Sequence, residues 1–262
     1  MQYRELGSTG IQVSEIGFGT WGIGGVTPGA TSYGVISDDD AIEALEVALS
    51  EGVNFFDTSN VYGDGHSEIL LGQVLGETSG LQRSDVVISS KLGMLDYTQK
   101  LEMTADNMER SLDGSLERLQ TDYLDVLHLH MVTLEELLEM PVILDTLRRF
   151  QLDNKVRVLA ISVKNPLDSC HRLISDNFQA IQVNFSLLDM RLISSGFFNN
   201  TRAKRLGVLA RTPLNFGFLA QNFPKNITFD KSDHRSRWSR TQIENWIDGA
   251  NQMFDAIGLS DF

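Results

Sequence analysis

The feature that most constrains this chain is a unit repeated in kind: a short apolar run rich in β-branched residues, followed by a stretch with helical spacing. The runs are Ile16 to Gly19 in "EIGFGTW", "GVNFFD", "DVVISS" (85–90), "YLDVLHLH" (123–130), "VRVLAIS" (156–162), "AIQVNF" (180–185) and "LGVLA" (206–210). Seven strands are predicted, nearly continuous in apolar character, as parallel strands covered on both faces must be. Helical stripes lie between them. Ala41, Ile42, Leu45, Ala48 and Leu49 share one face behind a Ser37/Asp40 pair with capping-box spacing, and Met108, Leu112, Leu116 and Leu119 share another. Right-handed crossovers of this regularity predict an α/β fold. The absence of two Gly-rich halves favours a TIM-like (β/α)8 barrel over a doubly wound sheet. Before the first run, "QYREL" and "IQVSE" flank "GSTG" in the manner of a small hairpin.

The strand count stops one short of a complete barrel. From about 211 to 239 the sequence is irregular for longer than an ordinary connection, which predicts a lid, a binding loop or a mobile segment. A helix is expected at about 240–257, boxed by Ser239 and Gln242. Its buried face would carry Ile243, Trp246, Ile247, Ala250 and Phe254, and Gly258 would end it. The expected architecture is therefore one domain over 1–262 whose barrel is incomplete or modified at the eighth strand. An uncovered strand edge attracts partners, so a homo-oligomer, most simply a dimer, is expected.

Composition narrows the function classes. The 22 basic and 35 acidic residues give a net charge of −13, which disfavours nucleic acid and anionic membrane surfaces as partners. The one cysteine, Cys170, excludes an internal disulfide and suits a reducing compartment. No signal core opens the chain and no stretch approaches 18 uncharged apolar residues, so the cytoplasm is expected. His66, His128, His130, His171 and His234 form no ligand run, and no metal is expected.

In a (β/α)8 barrel the active site lies at the carboxyl ends of the strands. Those ends carry Asp57, Lys91 just after "VVISS", and His130, with Tyr62 in the Gly-rich loop beyond Asp57. A phenol exchanges its proton poorly near neutral pH, but a neighbouring ammonium favours the phenolate. Asp57 can hold that Lys charged, and a histidine can donate to a substrate oxygen gathering negative charge. Such a set reads as a carbonyl site. His128 shares the side-chain parity of His130, and only the terminal position of His130 favours it.

With these residues in place the sequence resembles the aldo-keto reductase superfamily. The matching pieces are "LGSTGIQVSEIGFGTW", "GVNFFDTSNVYGDGHSEILLG", "VVISSKLG", "DYLDVLHLH", "AIQVNFSLLD" and "GVLARTPLNFGFL", in family order from about residue 3 to 220. The resemblance implies a tetrad of Asp57, Tyr62, Lys91 and His130, with Tyr62 as general acid in carbonyl reduction. It also implies NADPH or NADH as the hydride source, with Gly19, Thr20, Trp21, Asp57, Ser162, Gln182 and Arg211 on the cofactor side. Two positions depart from the family pattern. Val163 stands where an Asn is usual, so that Lys164 or Asn165 would have to supply the amide contact, and Arg211 stands where an aromatic ring usually stacks on the nicotinamide. The family's eighth strand and the phosphate-binding segment after it have no counterpart.

Three functions are expected from this pattern: a nicotinamide-dependent reductase, a redox-neutral dehydratase, isomerase or cyclase that uses no cofactor, and a noncatalytic binding or regulatory subunit. The substrate would be a small carbonyl or hydroxyl compound, and Arg211 would suit an anionic group. Trp21, Tyr33, Met131, Phe216 and Phe218 are candidates to line the mouth, against the alternative that they pack beneath the long loop. The basic residues 231, 235, 237 and 240 read as a solvated connection or an anion contact.

Overall fold

The computed structural model describes residues 1–29, 31–94, 103–130, 141–163, 165, 177–220 and 223–258. Strands β1 (Tyr3–Glu5) and β2 (Gln12–Ser14) form an antiparallel hairpin. Seven parallel strands follow in chain order: β3 (Phe18–Gly19), β4 (Phe55–Asp57), β5 (Val87–Leu92), β6 (Leu124–His130), β7 (Val156–Ser162), β8 (Ala180–Asn184) and β9 (Gly207–Arg211). Each pairs with its neighbours, and no pairing joins β9 to β3 among the described residues. The result is a TIM-like α/β barrel of seven strands, left incomplete where an eighth would close it.

The first run is shorter than its apolar character predicts. Ile16 is 67% exposed and lies in a bend before Phe18, so β3 contributes only two ladder residues. The fifth and sixth strands are instead buried at every position, since the sheet's outer face is covered by helices and its inner face is the barrel interior.

Helices α1 (Asp38–Ser50), α2 (His66–Glu77), α3 (Ala105–Arg118) and α4 (Pro141–Leu152) pack outside the sheet. The caps read from the sequence form here. Ser37 Oγ accepts from the Asp40 amide and donates to its carboxylate, satisfying an amide the first turn leaves unpaired. Ala41 and Leu45 of α1, and Met108 and Leu112 of α3, lie in the main core.

The hairpin plugs the amino-terminal end of the barrel. Leu6, Ile11 and Val13 pack on Phe55, Val87, Val126 and Val158, residues near the starts of four successive strands. That leaves the carboxyl end as the face open to chemistry. Residues 212–239 partly cover that face. Their described residues hold short 3-10 turns, at Asn215–Gly217 and His234–Arg237, and Phe216, Phe218, Phe223, Phe229 and Trp238, with Trp246 of the closing helix, give them an aromatic core. The His234 amide donates to the Ser32 carbonyl at 2.8 Å, fastening this layer to the segment after β3. The closing helix runs Arg240–Ala256, with Ser239 Oγ accepting from the Gln242 amide and Gly258 in the left-handed region after it.

Candidate active site

The carboxyl end of β4 places Asp57 beside Ser89 of β5, and β5 places Lys91 beside His128 of β6. Lys91 lies within its strand rather than just after it, and at 1% exposure it points into the barrel. Its ammonium donates to Asp57 Oδ2 at 2.6 Å and to the Thr58 carbonyl at 2.7 Å, and lies 4.7 Å from the centre of the Tyr62 ring. Burial pulls the Lys91 ammonium down, but the Asp57 carboxylate and Tyr62 outweigh it and hold its pKa above the ordinary lysine value. Burial likewise pushes Asp57 up, while Lys91, with help from His128 and Ser89, holds it below the usual carboxylate range. Both directions keep the pair ionised.

Tyr62 reaches this pair because its loop is tightly tied. It opens a 3-10 turn, Tyr62–Gly65, in which Gly63 has φ 61°. A side chain at Gly63 would collide with the backbone of Gly24, so glycine is required there for space as well as for conformation. Beneath the turn, Glu68 of α2 is fully buried; it accepts from Ser90 Oγ at 2.6 Å and from Arg118 Nε at 2.8 Å. This bridge ties α2, β5 and α3 together under the Tyr62 loop. It gives a physical reason for the Glu in "YGDGHSE", which the sequence supplied only as part of a marker.

His130 ends β6, opposite Ser162 of β7, with its ring 6.2 Å from that of Tyr62 at an interplanar angle of 79°. Its Nδ1 lies 3.4 Å from Ser59 Oγ. Burial, reinforced by the charges of Lys91 and Arg211, holds His130 well below the usual histidine pKa, so the ring is neutral. His128 sits one layer deeper with no exposure, its Nε2 3.1 Å from Ser89 Oγ, which in turn donates to Asp57 Oδ1 at 2.8 Å. The sequence singled out the tetrad but gave Ser89 no role and set His128 aside; pairing across strands is what brings both to Asp57.

The residues expected on the cofactor side spread around the same end. Ser162 Oγ donates to Gln182 Oε1 at 3.1 Å, and both are buried. Thr20 follows Gly19, the partner of Asp57 in the ladder, and its buried Oγ1 has no hydrogen-bond partner among the described residues. Among the described residues space lies open beside Gly19, where an added Cβ would meet nothing within 4 Å. An orphaned hydroxyl, a buried donor–acceptor pair and open space fit a polar cofactor head such as a nicotinamide carboxamide. Val163 is 1% exposed and apolar, and its carbonyl accepts from Arg211 Nη2 at 2.9 Å. The two positions that depart from the family pattern thus touch each other. Burial lowers the Arg211 pKa, against the charges of Tyr62 and Asp57.

Trp21 packs edge-on against Tyr33 and His234, and Phe216 joins the same cluster. Phe218, at 1% exposure, is buried under that layer against Phe223 and Trp246 and does not reach the mouth. Met131, Lys164, Cys170 and His171 lie outside the described residues. Among the described residues no group of three His, Cys, Asp or Glu side chains is placed to hold a metal, and no helix is long and apolar enough to cross a membrane.

Known proteins resemble this chain in sequence and in fold. The model of the Aldo/keto reductase family matches residues 15–256. L-galactose dehydrogenase of Arabidopsis thaliana is 30% identical over 245 residues, covering 86% of this chain and 69% of that protein. Aldo-keto reductase YhdN of Bacillus subtilis is 28% identical over 269 aligned positions, covering 97% and 75% respectively. Among solved structures, glycerol dehydrogenase AKR11B4 from Gluconobacter oxydans superposes with a TM-score of 0.75 at 24% identity, over 98% of this chain and 79% of that one, a likeness of fold.

Proposed function

The chain belongs to the aldo/keto reductase family of oxidoreductases, and we propose that it reduces the carbonyl of a small molecule to an alcohol with NADPH or NADH, Tyr62 acting as the general acid. The observation that carries this reading is the buried Lys91–Asp57 pair, 2.6 Å apart, with the Lys91 ammonium against the Tyr62 ring. As a carbonyl oxygen gains negative charge, the Tyr62 hydroxyl gives it a proton. The adjacent ammonium stabilises the phenolate left behind, and Asp57 fixes the ammonium in place. His130 is neutral, its Nδ1 lies 3.4 Å from Ser59 Oγ, and in the tautomer with its proton on Nε2 it would hydrogen-bond the same oxygen. Gly19, Thr20, Trp21, Ser162, Gln182 and Arg211 would hold the cofactor. When bound, the nicotinamide supplies the hydride.

A second reading keeps the proton chemistry without a cofactor, in a dehydratase, isomerase or cyclase. Val163 favours it, because an apolar side chain offers the carboxamide neither donor nor acceptor. Titrating the protein with NADPH and NADH, by calorimetry and tryptophan quenching, separates the two. Saturable binding together with reduction of an aldehyde or ketone supports the reductase. No binding at millimolar cofactor, beside a Tyr62-dependent reaction, overturns it.

Cytoplasmic location and self-association belong to the same proposal. In β9, Ala210 is exposed, and Val208, Leu209 and Arg211 are only half-buried, so this edge offers ladder groups to a second copy. Sedimentation at low micromolar concentration should show a dimer or larger species; a monomer would overturn the assembly.

A further inference from the structure

We infer that Ser89 and His128 are positioning residues for the reaction proposed above, and on which this inference rests: they align the Asp57 carboxylate so that it holds the Lys91 ammonium against Tyr62. The inference comes from hydrogen-bond direction. An ionised carboxylate only accepts, so Ser89 Oγ, 2.8 Å from Asp57 Oδ1, must donate to it. A hydroxyl has one proton to give. Its contact with His128 Nε2 at 3.1 Å must therefore run the other way, with the imidazole N–H donating to Ser89. The chain has one consistent polarity: His128 to Ser89 to Asp57 Oδ1, with Lys91 on Oδ2.

Both carboxylate oxygens are thereby fixed, and the carboxyl plane cannot rotate without breaking a buried bond. Ser89 and His128 have no exposure, so water does not replace the lost donor. The titratable and charged groups facing Asp57 are Lys91 from β5, His128 from β6, Tyr62 from its loop and Arg211 from β9. Burial drives the pKa of His128 down to about 4, against the opposing pull of Asp57, so near neutral pH it acts as a neutral dipole. Among the described residues the Ser89 hydroxyl bonds Asp57 and His128 and not Tyr62, which makes its role indirect.

The test compares Ser89→Ala, Ser89→Thr, His128→Leu and Tyr62→Phe with the unaltered protein. Isotope-edited carboxyl NMR, with Asp57 assigned through Asp57→Asn, follows ionisation without needing turnover. The pH dependence of kcat/KM, with NADPH and phenylglyoxal as probes, follows the reaction. Removing one hydrogen bond to a charged acceptor should raise the Asp57 pKa by about one to two pH units in Ser89→Ala, and the acid limb of kcat/KM should rise with it. Ser89→Thr keeps the hydroxyl and should move neither; His128→Leu should move both in the same direction by less. An unchanged Asp57 titration in Ser89→Ala, beside an inactive Tyr62→Phe, overturns the positioning role and leaves the proposed reaction standing. A Tyr62→Phe variant as active as the unaltered protein overturns the reaction and the positioning role with it.

Discussion

Lys91 keeps its charge at 1% exposure, which is costly unless a counter-charge is fixed beside it. Asp57 supplies that charge, and the two residues must be judged together. Replacing Lys91 by Met removes the phenol's cationic neighbour, so activity should be lost or its profile should move to higher pH. The same change leaves a carboxylate without its partner and should destabilise the fold by about 3–5 kcal/mol, read from urea unfolding. Tyr62→Phe deletes only a hydroxyl, so turnover should fall by roughly a hundredfold to ten-thousandfold while unfolding stays nearly unchanged. Unaltered turnover in both variants would remove the assignment. These four residues were legible because each lies near or just beyond the carboxyl end of a strand whose apolar pattern is strong. Ser89 and His128 were not, since they matter through cross-strand register, which a one-dimensional pattern does not contain. Parity placed His128 and His130 on the same face; depth along the barrel is what separates them, one beside Lys91 and the other beside Ser162.

At the scale of elements, the strands were readable because a sheet buried on both faces demands unbroken apolar runs, and helix starts because Ser37 and Ser239 sit where unpaired amides need acceptors. What the sequence could not show was how elements meet. The turn that carries Tyr62 was visible as Gly-rich, but its contact with Gly24 and its footing on the Glu68–Arg118 bridge are long-range. Gly63→Ala combines an unfavourable φ of 61° with a backbone collision, so the turn must shift and carry Tyr62 away from Lys91. The expected result is a loss of kcat larger than the loss of stability. Arg118→Ala should do the reverse: Glu68 stays buried with one donor fewer, and stability should fall by several kcal/mol. The segment after β9 read as a lid, a binding loop or a mobile segment because its aromatics have no periodicity. Thr212, Asn215 and Phe216 all have positive φ there, and packing against Trp238 and Trp246 holds Phe216 in place.

For the whole molecule, the buried histidines make acid the weak side of the stability profile. The pKa of His128 is pushed down to about 4 by burial, against an ordinary value of 6.5 in the unfolded chain. Between those two values the unfolded state takes up a proton that the native state refuses, so stability falls as pH drops from 6.5 to about 4 and levels off below that. A shift of this size corresponds to about 3 kcal/mol. His234 is also lowered to about 4 by burial, and acts in the same direction over the same window. Asp57 and Lys91 have opposite signs from each other. The contribution of Asp57, whose native pKa is depressed, is present above the ordinary carboxylate value and is lost as pH falls through its native pKa. That of Lys91, whose native pKa is raised, is present below 10.5 and is lost only as pH rises through its native pKa. Urea unfolding midpoints should therefore be flat from about pH 7 to 10 and should decline from pH 6.5 downward, ahead of any carboxylate titration. His128→Gln keeps a side-chain donor for Ser89 but cannot titrate, so its acid decline should be shallower between pH 6.5 and 4 whatever its stability at neutral pH. A decline of the same slope in that variant would mean that His128 takes up a proton in the native barrel as readily as in the unfolded chain.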